Sequence, residues 1–182
     1  MNSRGYPTSR RSLLAAALLL ASAVPLAAHG PTPQKADETI IIAAPPDKVW
    51  ALVSAFGRIG DWHPMVKKVE ATGGDEAGAE RTLVLEGGRV TEGLDESDAA
   101  GRRLSWRLLA ENVEAIPVSF YTATIEVTPS GEGSQVAWSA RFYRGDTGNY
   151  PPEELNDDAA IAAMAAFVTQ GLGGLKAKLE TP

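Results

Sequence analysis

Apolar and polar positions alternate with a period of two through most of the chain beyond residue 40, then switch to a three-to-four-residue period near its end. Ile40, Ile41 and Ile42 are three consecutive β-branched residues and read as a strand, because such side chains pack well on a pleated surface. Pro45-Pro46 stops it. Pro46 suits a first helical position, where no N–H is needed, and Asp47 complements the helix dipole. Val49, Val53 and Phe56 then recur at helical spacing beside Trp50. Six alternating segments follow, at residues 65–72, 80–86, 89–98, 102–110, 119–128 and 134–143. Turn residues separate them, among them Gly73-Gly74-Asp75, Gly87-Gly88, Ala100-Gly101 and Pro129-Ser130-Gly131. Runs of this length at hairpin spacing predict an antiparallel meander. Alternation also sorts the faces: Tyr121, Ala123, Ile125 and Val127 share one side, and Trp138, Ala140 and Phe142 another such set.

Residues 153–179 carry the helical period, with Ile161, Met164, Val168, Leu172, Leu175 and Leu179 forming one apolar stripe. Gly171, Gly173 and Gly174 sit inside that pattern and should cost roughly 1 kcal/mol each relative to Ala. Glycines on a helix face point to close packing or to empty volume beside them. Seven strands and one long helix bury both apolar surfaces only if the sheet curls round the helix. The expected fold is therefore α+β, one domain with the sheet gripping the helix.

Composition narrows the setting. Residues 1–28 have the parts of a secretory signal: Arg4, Arg10 and Arg11, an apolar run from Leu13, and small residues before Ala28. Ser9-Arg10-Arg11-Ser12-Leu13-Leu14 also resembles a twin-arginine signal, so export by the general secretory or the twin-arginine route is open. The expected organisation is a signal at 1–28, a flexible lead-in at 29–37 and a folded domain at 38–180, located in the periplasm, with no membrane span in the mature form. Those three arginines are the only basic residues of the 17 that fall in the signal, and none of the 23 acidic residues does. The remainder therefore carries 14 basic against 23 acidic residues, a net −9. Nucleic acids and anionic membranes need basic faces and are poor partners for it. With no cysteine there is no disulfide and no thiol chemistry. His63 is the one histidine within 38–180, which leaves little for a metal cluster or a Ser-His pair, and no metal or cofactor is expected. Its place before Pro64 predicts a surface or turn-capping role.

In order and spacing the motifs resemble the SRPBCC superfamily, which includes birch-allergen-like proteins, START lipid-transfer domains, polyketide cyclase/dehydrase-like proteins and plant abscisic-acid receptors. The strings that carry the resemblance are Ala44-Pro45-Pro46-Asp47-Lys48-Val49-Trp50, Asp61-Trp62-His63-Pro64, Gly78-Ala79-Glu80-Arg81-Thr82-Leu83, Leu104-Ser105-Trp106, Pro117-Val118-Ser119-Phe120-Tyr121 and Gly171-Leu172-Gly173-Gly174-Leu175-Lys176. The resemblance implies a helix-grip fold: a seven-stranded curved antiparallel sheet around a long C-terminal helix, with two short helices after the first strand. With the export signal it is most like the MxaD-like branch of periplasmic accessory proteins associated with methanol oxidation. It further implies that Lys67 reaches into a cavity lined by Glu92, Trp106, Leu108, Tyr121 and Trp138. Leu85, Ala123, Phe142, Met164 and Val168 extend that lining, and Gly87, Gly88, Ile116 and Pro117 lie in two loops at its mouth. Compared with the hormone receptors the first mouth loop is shorter, Gly93 replaces an arginine and Trp138 replaces a carboxylate, which implies a smaller, more aromatic cavity.

Alternation lets only one of Lys67 and Lys68 face inward; Val69 shares a face with Lys67, so Lys67 is expected inside, paired with Glu92. Trp50 and Trp62 read as core. Glu153, Glu154, Asp157 and Asp158 read as a solvated helix start. Three functions follow. The first is a non-enzymatic exported protein that binds a small hydrophobic molecule in the sheet–helix cavity, oriented by Lys67, Glu92 and Tyr121. The second is an accessory protein that contacts a periplasmic dehydrogenase or its cytochrome. The third is a cyclase- or hydrolase-like enzyme with Glu92 or Tyr121 as acid or base.

Overall fold

The computed structural model describes residue 1 and residues 30–181; the export signal expected at 1–28 lies outside the described residues. The described residues form one antiparallel sheet of seven strands, β1 Gln34–Ile42, β2 Lys68–Thr72, β3 Glu80–Leu85, β4 Gly88–Asp98, β5 Arg103–Ala110, β6 Val118–Ser130 and β7 Gly133–Arg144. Helix α1, Pro46–Val53, and a short 3-10 helix, Phe56–Asp61, follow β1, and the long helix α2, Asp157–Glu180, closes the domain. The sheet order is β1-β7-β6-β5-β4-β3-β2, so the meander runs in sequence and β1 returns to pair with β7. This is the helix-grip arrangement expected from the pattern. Register shifts in the β4–β5 ladder, at Thr91/Glu92 and Leu94/Glu96, and near the start of β6 bend the strands they interrupt.

The first strand starts earlier than expected. Residues 34–37 pair with β7, so the lead-in at 29–37 is in part strand. Polarity hid it: β1 is an edge strand, and its outward positions carry Lys35 and Asp37, the latter bonded to Arg141, while Ala36 is buried. The other strands lie within three residues of their expected limits.

Pro46 opens α1 and Val49 and Val53 turn into the core, as the spacing required. Asn156 caps α2, its side chain accepting from the Ala159 N–H at 2.9 Å. Asp157 is more than a solvated start: it pairs at 2.9 Å with the buried Arg144, whose other N–H groups donate to the Asp146 and Gly148 carbonyls. Helix α2 packs on β1 and β7, and Lys176 donates to the Ile41 carbonyl at its far end. By length and composition α2 could cross a membrane. Here, however, Ala160, Met164, Phe167, Val168, Gly171, Leu172 and Leu175 are buried within the fold. Ile161, expected in the stripe, is exposed and Phe167 takes a place in it, because the buried face is centred on the side of Ala160, Met164, Phe167, Gly171 and Leu175.

Candidate ligand-binding interior

The concave face of the sheet holds a buried charge cluster built on Arg81 and Glu92. Arg81 on β3 lies directly opposite Glu92 on β4. The Arg81 Nε donates to Glu92 Oε2 at 2.5 Å, and its Nη1 donates to the Phe56 carbonyl at 2.8 Å. The other carboxylate oxygen accepts from Trp106 Nε1 at 2.9 Å and from the Tyr121 hydroxyl at 2.5 Å. Glu92 is only 1% exposed, yet three donors from three other strands satisfy it. Such complete partnering is what makes a buried carboxylate tolerable. The Arg81 guanidinium also sits 4.0 Å from the Phe56 ring centre and 5.2 Å from that of Trp106. Burial first, and then the Glu92 charge, hold the Tyr121 hydroxyl well above the usual tyrosine range, so it stays a proton donor.

Arg81, not Lys67, is the cation that faces Glu92. Lys67 is 55% exposed and forms an ion pair with Glu86 at the edge of the sheet, which holds that carboxyl below its usual range. The expectation failed for two reasons. β2 begins only at Lys68, so strict alternation does not reach back to Lys67. The interior charge is also already neutralised, and a second buried cation would have no partner. Arg81 was detectable: it alternates with Leu83 and Leu85, all three buried.

The remaining expected lining residues, Leu85, Trp106, Leu108, Ala123, Trp138, Phe142, Met164 and Val168, are all buried in one cluster with Tyr121. Trp138 is its hub. Its ring lies edge-on to those of Trp62 (6.0 Å), Trp106 (5.7 Å) and Phe167 (5.9 Å), each pair contributing about 0.5–1.5 kcal/mol beyond burial. Trp62 is core, as expected, and Trp50 is partly buried against it. The two mouth loops meet. A Cβ on Gly87 would stand 1.9 Å from the Glu114 carbonyl oxygen, and one on Gly88 would stand 2.3 Å from Asn112 Nδ2. Ile116 is buried beneath them and Pro117 is half-buried. Only glycines let these turns approach so closely.

His63 corrects a second expectation. It does serve its turn, accepting the Met65 N–H on Nδ1 at 3.2 Å, but from inside: the residue is 1% exposed. Its Nε2 lies 3.0 Å from the Phe167 carbonyl. Since Nδ1 accepts, the proton belongs on Nε2, donating to α2. The ring lies 4.1 Å from that of Phe167, tilted by 34°, and burial lowers its pKa from 6.5 to about 4. The unfolded chain therefore binds a proton near pH 6.5 that the folded chain refuses until about pH 4. The stability that His63 contributes should therefore be lost as pH drops through that window, by on the order of 3 kcal/mol. Urea denaturation at pH 7, 5.5 and 4 checks this: His63→Gln should flatten the profile between pH 6.5 and 4, and an unchanged profile would assign the loss to other groups.

The profile of the family described as polyketide cyclase / dehydrase and lipid transport matches residues 33–180. No curated protein matches the chain's sequence. Among solved structures, XoxI from Bacillus cereus is 24% identical, with 81% of this chain and 96% of that one covered at a TM-score of 0.67. A protein of Thermobifida fusca is 28% identical, covering 80% and 95% at a TM-score of 0.60. Truncated norcoclaurine synthase from Thalictrum flavum is 14% identical, covering 84% and 97% at a TM-score of 0.62.

Proposed function

Since the chain belongs to the polyketide cyclase/dehydrase and lipid transport family of the SRPBCC superfamily, we propose that it is an exported, non-enzymatic protein that binds a small hydrophobic molecule between the sheet and α2. One observation carries this reading: a buried aromatic interior surrounds the charge-balanced cluster of Arg81, Glu92 and Tyr121. Apolar burial would supply affinity, and Glu92, Arg81 and Tyr121 would fix orientation. The cluster favours binding over catalysis. A general acid or base must reach the substrate with a proton to exchange, whereas the Glu92 oxygens are already engaged by three donors. The make-up of residues 1–28 supports export to the periplasm.

Native mass spectrometry of protein purified from its own host should detect a co-purifying apolar molecule of a few hundred daltons, released on denaturation. Bare protein, with no small apolar compound binding at millimolar concentration, would end this reading.

A second reading, the MxaD-like one, has support on the outer face. Arg107 on β5 pairs with Thr122 on β6, a register that brings Leu109 beside Phe120, and Phe120 pairs with Tyr143 on β7. Leu109 and Phe120 are exposed, and Tyr150 in the following loop is 95% exposed. An outward apolar row on an acidic protein suits contact with a periplasmic dehydrogenase or a cytochrome. Phe120→Ser with Tyr150→Ser should abolish recovery of such a partner from periplasmic extract, whereas Tyr121→Phe should not.

A further inference from the structure

The cluster has a polarity of its own. Among the described residues, three buried side-chain N–H groups in the interior find no acceptor: Arg81 Nη2, Trp138 Nε1 and Trp62 Nε1. All three residues are more than nine-tenths buried. Their side chains belong to one chain of contacts, since Trp138 abuts both Trp62 and Trp106, and the Arg81 guanidinium lies over Trp106. Asp157 Oδ1, the other unpartnered buried atom among the described residues, belongs to the start of α2. Among the described residues, the unpartnered side-chain atoms of the interior are thus all donors. Each unmade bond costs about 1–3 kcal/mol, so a bound molecule that supplies acceptors recovers that cost. Charge decides the rest. Arg81 is already balanced by Glu92, so a ligand carboxylate would add an uncompensated negative charge beside Glu92.

We infer that the interior is built for a neutral, apolar molecule that carries a carbonyl-type acceptor, a ketone or ester, received by the Trp138 and Trp62 indole N–H groups and by Arg81 Nη2. This rests on the binding function proposed above and names its ligand class. An alcohol of the same shape is a poorer match, because it brings a donor of its own into a site already rich in donors.

Acetophenone, 1-phenylethanol and ethylbenzene share one skeleton and differ at the polar atom, so they serve as probes. Their affinities are read by titration with ¹⁵N-labelled protein, following the indole N–H resonances. Acetophenone should bind about five- to tenfold more tightly than ethylbenzene, the worth of one hydrogen bond, and move the Trp138 or Trp62 N–H resonance downfield. Trp138→Phe and Trp62→Phe keep a ring in place; in the double variant the ratio of acetophenone to ethylbenzene affinity should fall to about one, whatever happens to ethylbenzene binding itself. Equal binding of acetophenone and ethylbenzene would overturn the ligand class, leaving the donors to ordered water, yet would keep the binding function. Failure of all three probes at millimolar concentration would overturn both.

Discussion

Glu92→Gln should destabilise the domain by about 3–5 kcal/mol, although it changes neither the size nor the shape of the side chain. The substitution leaves the Arg81 guanidinium buried without a counter-charge, held by the Phe56 carbonyl and two aromatic faces. It also weakens the bonds from Trp106 and Tyr121, which now meet a neutral acceptor. For a domain of this size the loss corresponds to a fall in Tm on the order of 10 °C. Arg81→Met should cost as much, for the opposite reason. The double variant, Arg81→Met with Glu92→Gln, removes both charges and should lose much less stability than the sum of the two single losses. A coupling of at least ~2 kcal/mol is expected from the cycle, measured by urea denaturation. Additive losses would mean that the two side chains do not act as a pair, and the orientation role given to them would go with it.

Three neighbouring glycines in α2 should respond in opposite directions. A Cβ at Gly174 would stand 2.0 Å from the Trp62 carbonyl oxygen, which is backbone and cannot yield alone. Gly174→Ala should therefore cost about 3 kcal/mol or more, an overpacking loss larger than the roughly 1 kcal/mol gained in helix propensity. At Gly171 the same atom would meet the His63 and Trp138 rings at 2.7 Å, so Gly171→Ala should cost about 1–3 kcal/mol and perturb the Trp138 environment. Gly173 has nothing within 4 Å and is exposed, so Gly173→Ala should stabilise by about 1 kcal/mol. Thermal melts of the three variants settle the ranking. If Gly174→Ala melted at or above the wild-type temperature, the close approach of α2 to the Trp62–Pro64 turn would not exist.

That helix shows where sequence reasoning reached and where it stopped. The three glycines were legible as close packing or empty volume; Gly171 and Gly174 are closely packed and Gly173 faces solvent, a distinction the spacing could not make. Similarly, Met164, Val168, Leu172 and Leu175 were recognisable as buried, whereas Ile161 and Phe167 exchanged roles. A periodic stripe wide enough to include both leaves the rotation of the helix open, and the sheet chooses it. His63 was recognised as a turn residue, yet its turn is covered by α2, more than a hundred residues away in sequence.

Alternation is a local property, enforced by the geometry of the extended backbone, so the order of elements, the meander and the inward faces of β5, β6 and β7 could be read from residues alone. Charge pairing is not local. Lys67 and Arg81 were both available to Glu92, and only the register of β3 on β4 places Arg81 opposite it and leaves Lys67 to Glu86. Nor does any pattern show which buried N–H groups remain without acceptors, since that depends on every neighbour the folded chain brings together. The sequence therefore sufficed for a sheet that grips a helix. The identity of the buried cation and the donor character of the interior came only from packing, because each depends on partners that lie far apart in the chain.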